Sequence, residues 1–466
     1  MTALLHAVLV YFLPLLAQGQ DIFLYDQSYR AAHDPLMVDL FKYWRSFREP
    51  SLGVYCDNLR FTDQLSCGTG DRDMYSSAAA GMGLIAETVF AEVGLTTAKE
   101  AMANVEQTLK TMSTTWPREP HHGFRAHFAK RRGTGLYNLN EYSTIDTALL
   151  VMGGLFAGNY FGGTVRELAV NLQNHVAWGA AIKAASEPTI YPIAQPDGSM
   201  SGNIRPFNEY YIVAYLAMLA HPSPRSKPSQ YFHRFFGQPS PQPVGGMKYI
   251  YWSARKQYHR FFGQPSRPTP HGGFPVFLDY KKFDLLSDTN TRFMSSFIPQ
   301  FCWFTTKGFN QDPYYSEQLF PSWLSADMRY WLDITTDRTI INGQKVRGKV
   351  FGCGAGAGHD RGYTVNRING TEEPIFSVAI MAGFLGVADA SMRQDINGRI
   401  AWMLSKNVCV YNKRLPDGST VRVPWRCSIK YPNWRASIAT SIDFATFVLG
   451  YAINFLPHGF YGKHAA

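Results

Sequence analysis

Three acidic stretches in this 466-residue chain set a carboxylate at the head of an apolar helical pattern. The first is Asn208-Glu209-Tyr210-Tyr211. Ile212, Val213 and Leu216 follow Glu209 at i+3, i+4 and i+7, which places its carboxyl on the apolar face of a helix. A carboxyl in an apolar cleft has a raised pKa and suits a general acid, although the helix dipole favours the anion. The structural alternative is a first-turn Glu that caps its own helix. The second stretch runs from Glu141 through Ser143, Thr144 and Asp146 to Leu149, followed by Gly153, Gly154, Ala157 and Gly158. These small residues let another helix or a ligand come close. Alternatively, Ser143 or Thr144 caps the helix and the two acids make structural hydrogen bonds. The third is Thr440-Ser441-Ile442-Asp443-Phe444, ahead of Val448, Leu449, Tyr451 and Ala452. A fourth, weaker candidate is the glycine-rich run Gly354 to Gly358, followed by His359, Asp360, Arg361, Gly362 and Tyr363. It lacks the Lys-Ser/Thr ending of a phosphate cradle, so nucleotide binding is rejected. It reads as the lining of a sugar cleft or as a plain turn. His121 and His122 are adjacent, which rules out a metal pair at i and i+4. They read as loop residues that contact sugar.

Helices must position these acids. His33-Asp34-Pro35 supplies an N-cap and a first-turn proline, with Leu36, Leu40, Tyr43 and Phe47 at helical spacing. Thr97 to Glu100 is a capping box that opens a helix to about residue 112. Between them, 75–93 is rich in Ala, Gly and Leu and suits a closely packed inner helix. Further helices are expected near 142–161, 163–183, 208–220, 313–335, 373–388, 390–406 and 438–455. Strand-like runs at 408–411 and 419–425 flank Pro416-Asp417-Gly418, a hairpin turn. There is no βαβ alternation, so the expected fold is all-α, a single domain of helix pairs nested into a closed ring with one open end.

Composition narrows the function. The formal charge is +10, but charged residues are 17% of the chain and form no long blocks, so nucleic acid is not an expected partner. Aromatic residues make up 15%; Tyr and Trp stack on sugar rings while their polar ends bond hydroxyls, although most must fill the core. Residues 1–19 read as an export signal, apolar from Ala3 to Leu16 with Ala17-Gln18-Gly19 as the cleavage site, though without the usual preceding basic residue. No later window is long and apolar enough to anchor in a membrane. After export, Cys56, Cys67, Cys302, Cys353, Cys409 and Cys427 are free to form up to three disulfides, with few or no thiols left; spacing does not fix the pairing. Asn369-Gly370-Thr371 is an N-glycosylation acceptor sequence. His233 to Ser240 recurs unchanged at His259 to Ser266 within a Pro-, Ser- and Gly-rich segment, 222–273. This reads as a local duplication, or an error in the gene model, on a surface loop outside the ring.

Several of these stretches, taken in order over most of residues 34–455, resemble a known group. Ser76 to Leu84, His122-Gly123-Phe124 with His127-Phe128, and Glu141 to Leu150 with Gly154 to Phe161 are similar to segments of bacterial glucoamylase-like proteins that include glycoside hydrolase family 144. Asn208-Glu209-Tyr210 matches the family's Asn-Glu helix start. Asp360 to Tyr363 falls at its Asp-Gly-rich turn and Ser441-Ile442-Asp443 at its Ile-Asp turn. The eukaryotic endo-β-1,2-glucanases of family 162 share the plan, and the export signal fits that branch better.

The resemblance implies an (α/α)6 barrel that hydrolyses β-1,2-glucan with inversion, needs no cofactor or metal, and acts as a secreted monomer on a polysaccharide or oligosaccharide. It implies Glu209 as general acid. The base is an Asp late in the chain, Asp443 first and Asp360 second, reached in family 162 through a substrate hydroxyl. Glu141, Asp146, His122, Tyr210, Tyr363 and Trp434 are expected to bind substrate. The chain departs from the bacterial pattern at both Asp positions, where Gly-His-Asp-Arg and Phe444-Ala445 replace the usual runs. Those changes favour two rivals: a non-catalytic glycan-binding or effector-like protein of the same fold, and a β-glucan hydrolase or phosphorolysis-like enzyme of different linkage.

Overall fold

A computed structural model of the chain describes residues 30–61, 67–68, 73–132, 135–184, 187–204, 208–220, 276–289, 292–311, 315–371 and 373–466. The expected export segment and the duplicated 222–273 segment lie outside these residues.

The described helices are α1 (Pro35–Arg45), α2 (Ser77–Glu92), α3 (Ala98–Thr114), α4 (Thr144–Phe161), α5 (Gly163–Asn174), α6 (Tyr211–Ala220), α7 (Phe297–Thr305), the short α8 (Lys307–Asn310), α9 (Phe320–Ile334), α10 (Val378–Gly383), α11 (Ala390–Ser405), α12 (Ser441–Ala452) and α13 (Phe460–His464). They fall into two kinds. Helices α2, α4, α7, α10 and α12 are buried on nearly every side. By contrast, α3, α5 and α11 bury one stripe, as surface helices do. The buried set packs on itself: α2 against α4 and α12, α12 against α10 and α7, α4 against α6 and α7. Outside it, α3 covers α2, α5 covers α4, α11 covers α10 and α1 covers α12. A single hydrophobic cluster extends from Ala31 to Ala465.

Local sequence explains most boundaries. Asp34 caps α1 by accepting from the Met37 N–H at 2.8 Å, and Thr97 caps α3 by accepting from Glu100 N–H at 3.1 Å. The small residues of α2 and α4 serve close crossing. A Cβ on Gly81 would fall 2.3 Å from the Leu149 carbonyl oxygen, and one on Gly153 would fall 2.0 Å from that of Gly81. The hairpin at Pro416-Asp417-Gly418 joins strands Val410–Arg414 and Thr420–Pro424, paired Val410 to Pro424 through Arg414 to Thr420.

The architecture departs from expectation in places. It is mostly helical, but short two- and three-stranded sheets recur, several of them leading directly into buried helices. The helix expected over 163–183 stops at Asn174, because the chain turns through Trp178–Ala181 to pair strand Ile182–Ala184 with Glu187–Ile190. Within 313–335 a π-turn, Tyr315–Leu319, precedes α9; Pro321, which has no N–H to give, stands in the first turn of the α-helix proper. Pro374 and the strand Ile375–Phe376 hold α10 back to Val378. Helices α7 and α13 had no sequence signal strong enough to predict them.

The disulfides are Cys56–Cys67 and Cys409–Cys427. Cys302 and Cys353 stay as buried thiols, so complete pairing of the six is not found. No helix among the described residues is long and apolar enough to cross a membrane.

Candidate active site

One local device recurs at the heads of two buried helices. In Ser143-Thr144-Ile145-Asp146, Ser143 caps α4: its Oγ accepts from the Asp146 N–H at 3.2 Å and donates back to the Asp146 carboxylate. In Thr440-Ser441-Ile442-Asp443 the Thr440 hydroxyl donates to the carboxylate of Asp443 in the first turn of α12. Each helix is entered from a two- or three-residue strand, Tyr142–Ser143 and Ile438–Thr440. The hydrogen bonds expected of the structural reading are present: each carboxylate takes its cap's hydroxyl hydrogen on one oxygen. Glu209 lies in the turn just before α6, half-buried, not within the helix as the periodicity suggested. Asn208 shapes that turn by accepting from Tyr210 N–H at 2.9 Å, while Ile212, Val213 and Leu216 are buried as expected.

The acids meet around two tyrosines. Burial raises the Tyr210 hydroxyl far above its ordinary range, and the charges of Glu209, Asp146 and Glu141 push it the same way. Tyr363 is 54% exposed to water yet ringed by protein. Desolvation raises its hydroxyl, Asp443, Asp57 and Glu209 add to that, and Arg426 opposes it. Glu209 and Asp443 thus lie within electrostatic reach of one phenol.

Each acid is tuned differently. Asp443 is 2% exposed; burial lifts its pKa from 3.8 to about 6, with Asp57 adding, while Arg426 and the Thr440 hydroxyl oppose. Asp146 is raised by burial and by Glu141, and held back by His127 and Ser143. Asp57 is raised by burial and by Asp146, with Asn58 and His127 opposing. His127 stands between two of these acids, Nδ1 at 2.8 Å from Glu141 Oε1 and Nε2 at 3.5 Å from Asp146 Oδ1, its ring stacked on Phe128.

Asp360 belongs elsewhere. It is exposed and its pKa is depressed by hydrogen bonds from His359 and from the Tyr431 hydroxyl at 2.8 Å. His359 stacks on Tyr431 at 3.8 Å and meets Trp434 edge-on at 5.8 Å, so Trp434 joins this rim group and not the acids. Tyr363 links the two, because its strand Tyr363–Val365 pairs with Ala355–Ala357 and Asp360 lies in the connecting turn. His122 is brought to neither. Its N–H donates to Glu119 at 2.6 Å and its Nε2 lies 3.0 Å from the Gly198 carbonyl, a contact that braces two loops.

Asp57, Arg426 and Glu373 were not foreseen, and His127 was noticed only within a family-like segment. Asp57 reaches the site because Asn58–Arg60 pairs with Ile438–Thr440, a pairing with no local signature. For Arg426 a signal existed: a lone cation in the apolar run Val423-Pro424-Trp425-Arg426-Cys427. The one His, Cys, Asp or Glu group with metal-like spacing among the described residues is Cys56, Cys67 and Asp73, and a disulfide takes up both of its sulfurs.

No protein-family model matches the chain, and no curated protein matches it by sequence. Solved structures do match. The endo-β-1,2-glucanase of Chitinophaga pinensis, in complex with sophorotriose and glucose, superposes at TM-score 0.62 with 13% identity, over 94% of each chain. The β-1,2-glucanase of Parabacteroides distasonis gives 0.60 with 16% identity, over 93% of this chain and 58% of that one. The endo-β-1,2-glucanase of Talaromyces funiculosus, a variant bound to β-1,2-glucan, gives 0.55 with 10% identity, over 92% and 87%. The chain therefore resembles the endo-β-1,2-glucanases in fold over nearly its whole length.

Proposed function

We propose that this chain is an exported inverting glycoside hydrolase, built on an (α/α)6 toroid, that cleaves β-1,2-glucan. The observation that supports it most is the meeting of Glu209, Asp146, Asp57 and Asp443 around Tyr210 and Tyr363 at the heads of buried helices. The proteins sharing its fold that hold sophorotriose or β-1,2-glucan suggest the substrate class.

In this reading Glu209 gives a proton to the leaving glycosidic oxygen. Asp443 takes one from the attacking water, directly or through a substrate hydroxyl. Inversion requires acid and base on opposite sides of the bond, with room for water between them. Asp443 suits the base role better than Asp360. A conjugate acid near 6 accepts a proton readily in mildly acidic surroundings, whereas the bonds that depress Asp360 make it a weak acceptor. Glu141, Asp146 and Tyr210 hold sugar hydroxyls, while Tyr363 and Trp434 offer ring faces. Export is supported by two disulfides and by Asn369 lying on an exposed turn.

The test is incubation with a panel of β-linked glucans and analysis of product linkage and anomeric form. Glu209→Gln should lower turnover of the natural glucan by about 10² to 10⁴ while sparing substrates with good leaving groups. Asp443→Asn should cripple both kinds. Near-normal glucan cleavage by Glu209→Gln overturns the acid assignment.

A further inference from the structure

Arg426 is fully buried, yet only part of its guanidinium is hydrogen-bonded. Nη1 donates to the Ala355 carbonyl, while Nε and Nη2 have no hydrogen-bond partner among the described residues. A buried guanidinium without a paired carboxylate costs stability, so its retention calls for a reason. The surrounding backbone is shaped for it. A Cβ on Gly356 would lie 3.1 Å from its Nε, so Gly356 makes room for the guanidinium, whereas one on Gly354 would first meet Ile380 at 2.8 Å and Ser377 at 3.1 Å. Strand Ala355–Ala357, which holds the guanidinium, packs on strand Ile438–Thr440, and Thr440 binds the Asp443 carboxylate.

We propose that Arg426 is a positioning residue for the water-activating carboxylate: held by the strand Ala355–Ala357 that packs on Ile438–Thr440, it sets a buried positive charge beside the turn that carries Asp443. The inference rests on the reading of Asp443 as base. The groups that act on Asp443 are Arg426, Thr440, Asp57 and the Tyr363 hydroxyl, and the charge of Glu373 also acts on Arg426. Burial and Asp57 drive Asp443 toward the neutral acid, and Arg426 is the only cation in the set that opposes them. Arginine suits the task because it stays charged where a buried lysine sheds its proton.

Two measurements test this. The first is independent of activity: the carboxyl ¹³C titration of Asp443, its resonance identified by its loss in Asp443→Asn. The second is the acidic limb of kcat/KM on β-glucan. In Arg426→Met both should move up by about 1 to 3 pH units. Arg426→Lys should return both toward the wild-type position at low pH. Circular dichroism confirms that each variant is folded; if Arg426→Met does not fold, Gly356→Ala, which crowds the guanidinium, takes its place with a smaller shift in the same direction. A variant that loses activity equally at all pH values, with the Asp443 titration unmoved, overturns the proposal and leaves Arg426 a packing residue. If instead the limb survives in Asp443→Asn, the base assignment fails, whatever Arg426 does.

Discussion

Asp443 bears two opposed demands, and they predict a stability signature. Its folded pKa of about 6 lies above its ordinary value of 3.8. The native state therefore holds a proton more tightly than the unfolded chain does between those values. That contribution is fully present below about pH 4 and is lost as pH rises through 6, leaving a buried anion whose cost is on the order of 3 kcal/mol. Asp443→Asn should be more stable than the wild type at pH 8 by roughly 1 to 3 kcal/mol in denaturant unfolding, and close to it at pH 4. An equal difference at both pH values would show that the anion carries no such cost. At this scale the acids themselves were legible. Glu209, Asp146 and Asp443 announce themselves because each stands at fixed spacing ahead of an apolar helix. Asp57 and Arg426 do not, because what matters about them is a neighbour from a distant part of the chain.

Buried helices cross where side chains vanish. Gly81 meets Leu149 and Leu150 of α4, Gly153 meets Gly81, and Gly450 of α12 meets Ala382 of α10. These contacts set how closely α4, which carries Asp146, packs on α2, and how closely α12, which carries Asp443, packs on α10. Gly153→Val should destabilise the fold by about 1–3 kcal/mol or more, through overpacking against backbone that cannot give way. A melting temperature unchanged from wild type would refute the close crossing. Helix existence was readable from caps and periodicity, which are local. Helix ends were less so: α5 ends early and α10 starts late because strand pairing, invisible in a single window, takes the backbone first. The Ser/Thr-x-Ile-Asp spacing at α4 and α12 was in plain view, but that Ser143 bonds Asp146 twice while Thr440 bonds Asp443 through its hydroxyl alone emerges only from the folded chain.

For the whole molecule, covalent bookkeeping gives the sharpest test. Denaturation without reductant, followed by alkylation, should label two cysteines, Cys302 and Cys353, and leave the other four protected. The folded protein should resist labelling altogether, since burial raises both thiols well above their ordinary range. Labelling of four or more positions after denaturation would contradict the two bonds. The likeness in fold to the endo-β-1,2-glucanases was legible in the order of motifs along the chain. The many small sheets were not, because two-residue strands carry no alternation to read.

The pairing of Asn58–Arg60 with Ile438–Thr440 bears on how the molecule is made. Asp57 is made well before Asp443, so a nascent chain that has not yet reached Ile438–Thr440 leaves the strand Asn58–Arg60 without its partner. The early helices α2 to α5 can pack as they appear, but α2 keeps one flank bare until α12 arrives to cover it. Closure then depends on contacts of very large sequence separation, which form slowly and leave apolar surface open in the meantime. The polypeptide that still lacks α12 is consequently the form most dependent on chaperones.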